Sequence, residues 1–460
     1  MNESDKINAK ENKMGTMPVG RLLISMAVPM MVSMMVQAFY NVVDSFFVAK
    51  ISENALTAVS HAFPIQNLMI AFATGTGVGI NALLSMRLGQ KNFDEVNKSA
   101  LNGIFLTLLT TIAFMIMGFT VPDAYFRSQS DNLEIIDYGV KYTRIVLIFS
   151  FGLFGGLTFE RLLQSTGKTV LSMVAQLAGA ITNIILDPIL IFGLIGFPEM
   201  KIEGAAIATV IGQFVTLTLA FLFNILKNKE INFSLKKFRP SIRVIGQIYR
   251  VGVPSILLAS VGSVMTYLMN KILGSFTETA VAVFGVYFKL QSIIFMPVFG
   301  MNNALVPIVA YNYGARNKKR ITGTIKLGLS IALAFLMIGM ALFEIIPGQL
   351  LSIFEASETM LAIGTKALRI IGLHFIPAAF SIIFLSVFQA LGKGIYSMIT
   401  SFVRQIVVLV PAAFLLSLTG SVSNVWWSFP IAEIVAVTIA SVFMIVSYKK
   451  EIAPLGKIEN

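Results

Sequence analysis

Residues 164–173 read QSTGKTVLSM, and residues 389–398 read QALGKGIYSM, an offset of 225 positions. Gln164/Gln389, Gly167/Gly392, Lys168/Lys393, Ser172/Ser397 and Met173/Met398 are identical. Working outward in the same register, Pro122 matches Pro347, Gly139 matches Gly364, Lys141 matches Lys366 and Arg144 matches Arg369. Further back, Pro29 matches Pro254, Glu53 Glu278, Phe63 Phe288, Gln66 Gln291, Gly75 Gly300, Gly89 Gly314 and Asn92 Asn317, with no gap from Pro29 to Met173. Matched Leu or Val means little in an apolar chain. Matched Pro, Gly, Gln, Lys and Arg in constant register mark a duplicated unit, a common plan among secondary transporters, whose sites lie between similar halves.

Composition agrees. The chain has 460 residues, 56% hydrophobic and 13% charged, against roughly 25% charged for a soluble domain. Its mean hydropathy is +0.80. There is no Cys and there are two His, which removes disulfides, thiolate metal sites and Cys nucleophiles and leaves little for most metal or acid–base enzymes. No HExxH and no paired Asp-rich metal motif is present, which argues against a membrane-embedded enzyme.

Apolar stretches fall at 19–49, 55–86, 99–121, 133–160, 169–194 and 204–226, then at 245–275, 280–311, 321–346, 358–388, 395–418 and 424–447. Each is near or above the ~20 residues that cross a bilayer as a helix. Six spans return the chain to its starting side, so the two units are parallel. The expected fold is an all-α integral membrane protein. Twelve transmembrane helices form two six-helix bundles related by a pseudo-two-fold axis along the membrane normal. The expected organisation is a tail at 1–17, a first bundle at 18–226, a linker at 227–244, a second bundle at 245–447 and a tail at 448–460.

Charge placement sets the expected orientation. With the N-terminus in the cytoplasm, the cytoplasmic segments hold 24 of the 35 basic residues. These include Lys6, Lys10, Lys13 and Arg21, the set Arg87, Lys91 and Lys98, and a run from Lys227 through Lys236 and Lys237 to Arg250. Arg316 to Lys326 and Lys449, Lys450 and Lys457 complete the pattern, while the outer loops carry Lys50, Arg127 and Lys201. Such enrichment is the positive-inside pattern. The net charge of +12 is therefore a topology signal and not a nucleic-acid footprint. Both termini are expected in the cytoplasm of a multi-pass cell-membrane protein.

Function is sought in polar groups at membrane depth, where an acid costs at least ~2.5 kcal/mol. Gln37, Tyr40, Asn41 and Asp44 share one face of the first helix, and Pro29 suggests a bend below them. Asp44 is read as a cation- or proton-binding carboxylate, or as a solvated group at the outer helix end. Asn183 and Asp187 are four apart on the fifth helix. Pro188 cannot donate to the carbonyl of Ile184, which leaves that oxygen free as a second bend point. The set suits a hard cation such as Na⁺; the alternative is an Asp-Pro turn near the outer surface. The positions 225 further on from Asn41, Asp44, Asn183 and Asp187 are Thr266, Met269, Val408 and Ala412, so the scaffold is duplicated and the acids are not. Glu433, three residues after Pro430, is a candidate for lining the cavity. Glu160, beside Arg161, is an internal ion pair or a transport group. His61 and His374 sit singly on apolar helices, where packing is the simpler reading.

Residues 29–44, PMMVSMMVQAFYNVVD, resemble the first helix of the multidrug and toxic compound extrusion family. So do RLGQKN at 87–92, YGARN at 313–317, the Gln-x-x-Gly-Lys repeats and GAAIAT at 204–209. The resemblance implies two bundles forming a V around a central cavity. It also implies export of organic, usually cationic, compounds driven by Na⁺ or H⁺, with no other cofactor and with a monomer as the working unit. It implies that Asp44, Asn183 and Asp187 form the ion site, joined by Thr209 and Tyr142, and that Pro29 and Gln37 are the first-helix bend and the cavity glutamine. One branch of the family holds acids in its seventh and tenth helices. Here Val253 to Leu273 and Leu361 to Phe388 contain none. The alternative function is a flippase for a lipid-linked sugar or other amphipathic lipid, for which Arg161, Lys271, Lys289 and Arg404 are the basic candidates.

Overall fold

A computed structural model describes residues 12–234, 238–354 and 356–456; Lys6, Lys10, Lys236, Lys237 and Lys457 lie outside them. Among the described residues every regular element is helical. The first half comprises α1 (Val19–Ala49), α2 (Glu53–Gly89), α3 (Phe93–Thr120), α4 (Leu133–Ile148), α5 (Phe151–Ser165), α6 (Thr169–Phe192) and α7 (Lys201–Lys227). The second comprises α8 (Ile242–Gly274), α9 (Glu278–Gly314), α10 (Lys318–Ile345), α11 (Glu358–Gly372), α12 (Phe375–Ala390), α13 (Gly394–Ser417) and α14 (Ser428–Ser447, inside a span of Val422–Leu455).

The fourth and tenth spans are bent, by 44° between α4 and α5 and by 49° between α11 and α12. Counting each bent pair once gives twelve spans. The sequence pattern ran straight through both breaks. In the second, Pro377 lies just inside α12 and removes the donor to Leu373's carbonyl. The first has no proline, and nothing in its composition marks it. By contrast α1 runs unbroken through Pro29 and α6 through Pro188.

Local chemistry repeats with the scaffold. Ser52 and Thr277 accept from the N–H groups of Ala55 and Ala280 at the starts of α2 and α9. Asn92 and Asn317 do the same for Glu95 and Arg320 at the starts of α3 and α10. The preceding residues, Lys91 and Arg316, share φ = 57°.

The contacts between halves show the two-fold relation directly. A Cβ on Gly75 in α2 would lie 2.4 Å from Ile256 in α8. Adding the repeat offset to one position and subtracting it from the other gives Gly300 and Met31, and a Cβ on Gly300 would lie 2.6 Å from Met31. A Cβ on Gly89 would lie 1.9 Å from the carbonyl oxygen of Tyr311, and one on Gly314 2.0 Å from that of Met86. Only glycine lets these backbones meet. Each contact is exchanged for its partner by the same axis.

The Gly75 and Gly300 contacts lie deeper along the same helices, and the Gly89 and Gly314 contacts lie at the end of the molecule that carries Arg87, Arg316 and Arg320. The hydrogen bonds described between halves lie there or at mid-depth: Arg87 NH2 to Gln247, Arg161 NH1 to Asn303, and Arg320 to the N-terminal segment. The halves are thus closed at the basic end. Large apolar side chains such as Ile116, Phe119, Ile338 and Ile345 are exposed on the outside, as a lipid-facing surface requires.

The N-terminal segment departs from expectation. Residues 12–17 are not a free polar tail. Lys13–Thr16 form one helical turn with Met14 fully buried. Asn12 donates to Thr166 O (3.0 Å) in the first half. Arg320 in the second half donates to Met14 O (2.9 Å) and Met17 O (2.7 Å). The linker is packed as well: Ser241 N–H donates to Asn102 Oδ1 at 2.8 Å.

Candidate functional site

Between the halves lies a cavity of about 850 Å³. The face of α1 read from the sequence points into it: Gln37, Tyr40, Asn41 and Asp44 all line the wall. Gln176 on α6 donates to Gln37 Oε1 at 3.4 Å, which holds α1 and α6 together at this level.

Asp44 and Asp187 are brought together. Their carboxyl groups face each other within hydrogen-bonding reach. Asp187 is fully buried inside α6, behind the lining residue Asp44, and is not an Asp-Pro turn at the surface. Asn183 Nδ2 donates to Asp187 Oδ1 at 3.3 Å and to Thr209 Oγ1 at 3.4 Å. With its amide turned over, Asn183 still donates to Asp187 and accepts from the Thr209 N–H at 3.1 Å. Tyr40 and Tyr142 stand beside the acids, and Tyr142 OH accepts from Gln66 at 3.0 Å. The oxygen of Asp44 that is buried, Oδ1, receives no donor.

The donor set is two carboxylates, an amide and a hydroxyl. That is an oxygen-rich set of the kind a hard cation takes, and the unpartnered Oδ1 is the atom such a cation or a proton satisfies. No group of three or more His, Cys, Asp or Glu side chains suited to a metal occurs among the described residues. A cation here therefore depends on the amide and hydroxyl as well as the acids.

Two expectations change. Glu433 does not line the cavity: it is buried on α14 and accepts from Arg404 NH1 at 3.1 Å. The side chain at the wall is Arg404. It sits on a π-helical stretch, Val403–Leu409, just before Pro411. A proline next to a widened turn is the sequence signal for that irregularity. Glu160 lines the cavity, and its ion pair with Arg161 is not formed: Arg161 NH1 instead donates to Gln164 (2.9 Å) and Asn303 (3.0 Å). Among the flippase candidates, Arg161 and Arg404 reach the wall, and Lys271 and Lys289 do not line it.

His374 lines the cavity but packs against Phe295, Phe375 and Phe429, with Nδ1 2.6 Å from Ile371 O. His61 lies off the cavity, and its carbonyl accepts from Tyr125 OH. Sequence reasoning missed Gln66, Gln291, Gln164 and Gln389 as wall residues. Their signal was present, since each is a repeated polar residue within an apolar helix.

The MatE family profile matches this chain twice, at residues 29–189 and 254–415. The chain belongs to the MatE family. The two matched stretches begin at Pro29 and Pro254, the repeat pair where the register starts. The multidrug export protein MepA of Staphylococcus haemolyticus is 24% identical over 434 residues, 94% of each chain. A FAD transporter of Shewanella oneidensis is 26% identical over 430 residues, covering 91% of this chain and 92% of its own. A solved outward-facing multidrug resistance MATE transporter superposes with a TM-score of 0.90 at 25% identity, over 98% of this chain and 99% of that one. A transporter from Pyrococcus furiosus, whose structure is described as having a binding pocket of reverse polarity, superposes with a TM-score of 0.89 at 25% identity, over 97% of this chain and 99% of that one. MatE proteins are membrane transporters, and this chain is a multi-pass membrane transporter and not an enzyme.

Proposed function

We propose that this MatE transporter is a multidrug efflux antiporter. It exports organic, chiefly cationic, compounds in exchange for Na⁺ or H⁺ by alternating access, working as a monomer in the cell membrane with both termini in the cytoplasm. The observation that carries the reading is the facing pair Asp44 and Asp187, held in one half and beside the cavity.

Two ionised carboxylates side by side repel unless a proton or a cation lies between them. The coupling ion therefore binds where Asp44, Asp187, Asn183 and Thr209 offer oxygens. Asn183 orients Asp187, and Tyr142, fixed by Gln66, stands against the same carboxyls. Gln37, Tyr40 and Asn41 give the cavity its polar face toward substrate. Coupling requires ion and substrate to favour different states of the first bundle, since equal affinity for both shifts nothing. MepA relatives bear the name of multidrug exporters, which supports the substrate class.

The test is efflux of a fluorescent organic cation from proteoliposomes under imposed Na⁺ or pH gradients. One gradient is expected to drive export by the wild type, and Asp44→Asn is expected to abolish it. Gradient-driven export at wild-type rate by that variant removes the proposal.

A second reading is transport of an amphipathic lipid such as a lipid-linked sugar. Arg161 and Arg404 at the cavity wall favour it, because guanidinium groups suit a phosphate headgroup. Translocation of a fluorescent lipid-linked phosphosugar, with no gradient-driven dye efflux, would select it.

A further inference from the structure

We propose that Glu160 is the carboxylate that receives the positive group of the transported compound, at a subsite separate from the Asp44–Asp187 pair. The inference rests on the export reading above and deepens it. Glu160 lies on α5, lines the cavity and is 4% exposed. Its Oε1 is buried with no hydrogen-bond partner.

The neighbouring cation does not satisfy that oxygen. Successive residues on a helix point about 100° apart, and the stem of Arg161 runs along α2, where a Cβ on Gly77 would lie 2.8 Å from Arg161 Cγ. Its guanidinium NH1 donates to Gln164 Oε1 and to Asn303 Oδ1 on α9. A buried carboxyl oxygen without a donor is costly, and in a wall open to ligand a cation is the partner that removes the cost.

The surroundings set the ligand class. Leu153, Gly156 and Leu157 line the cavity from the same helix, so the subsite joins one negative charge to apolar wall, as a bulky organic cation requires. The repeat counterpart of Glu160 is Leu385, also at the wall. Among the lining residues the second half offers no carboxylate; its charged side chain at the wall is Arg404, already paired with Glu433.

Equilibrium dialysis of purified protein with tetraphenylphosphonium and with neutral triphenylphosphine oxide tests this. E160Q is expected to weaken tetraphenylphosphonium at least about ten-fold, the loss of one charge contact at a buried site, and to leave the neutral compound within about two-fold of wild type. Wild-type affinity of E160Q for the cation, or equal weakening of both compounds, overturns the inference while leaving the export reading intact. A wild-type chain that binds no organic cation overturns both. Should E160Q fail to fold, the wild type carries the test through labelling by dicyclohexylcarbodiimide. Tetraphenylphosphonium is expected to protect Glu160 and the phosphine oxide is not; no protection by the cation overturns the inference.

Discussion

Where the first half holds Asp44, Tyr142, Asn183 and Asp187, the second holds Met269, Ala367, Val408 and Ala412. Met269 and Ala367 are fully buried in the main hydrophobic core, and Val408 packs against it. Helix caps, the φ values before α3 and α10, the bends and the glycine contacts are shared by the two halves. The acid pair is not. A duplicated scaffold tolerates loss of an acid in one copy, because its structural job is done by glycines and caps. Retention of two acids in the other copy, against the cost of burying them, is then a functional statement. The largest expected effect follows: Asp187→Asn reduces ion-driven dye efflux to background. Placing Asp at Met269 and Ala412 in that variant does not restore it, because Val408 and Ile434 stand where Asn183 and Thr209 do. Rescue in the same proteoliposome assay would show the halves to be interchangeable.

The second half has its own charge pair, partly exposed Arg404 and buried Glu433, whose repeat counterparts are Gly179 and Ala208. Glu433 is 3% exposed. Arg404→Ala strands it, and the expected cost is about 3–5 kcal/mol, read as a fall in the thermal midpoint of detergent-purified protein. The double change Arg404→Met with Glu433→Leu is expected to recover most of that, since a buried pair replaced by hydrocarbon is often neutral. Failure of the double change to recover stability would mean that the π-helical turn of α13 depends on the pair.

Shared features are expected to fail alike. Gly89→Ala and Gly314→Ala place a methyl about 2 Å from a facing carbonyl oxygen and are each expected to cost about 3 kcal/mol, the upper range of overpacking. Thermal midpoints that differ widely between the two variants would break the two-fold equivalence at the closed end.

Much of this was legible because it is periodic. The spans, the repeat register and the polar face of α1 follow from spacing along helices, whereas the joining of Asp44 to Asp187 across two helices came from the family resemblance. The bend after Ile148, the exchange of Glu433 for Arg404 at the wall and the seating of Met14 were not legible. Each is decided by what packs opposite. A buried acid near Pro430 reads the same whether it faces a cavity or an arginine. A polar N-terminal stretch gives no sign that one methionine in it is enclosed. Gln66 and Gln291 were legible as a repeat and unread as a wall, since polar residues inside an apolar helix carry two meanings until the partner helix is known.

The smallest expected effects compare Arg320 with its repeat counterpart, Glu95. Arg320 holds the N-terminal turn through Met14 O and Met17 O and donates from Nε to Asn312 Oδ1 at 3.1 Å. Since the turn also bonds Thr166 in the first half, Arg320 links the halves where they are closed. Losing a charged donor to backbone carbonyls costs about 1.5–3 kcal/mol. Arg320→Ala should therefore shift the population away from the state closed at the basic end. Spin labels at positions 94 and 319, both exposed, read this as a longer distance component. Among the described residues Glu95 pairs with its own neighbour Lys98, at 3.1 Å, with Lys98 exposed and Glu95 partly so. Such a pair contributes about 0–1 kcal/mol, so Glu95→Ala should leave the same distance distribution unchanged. If both variants open that end equally, the closure depends on net charge rather than on the N-terminal turn.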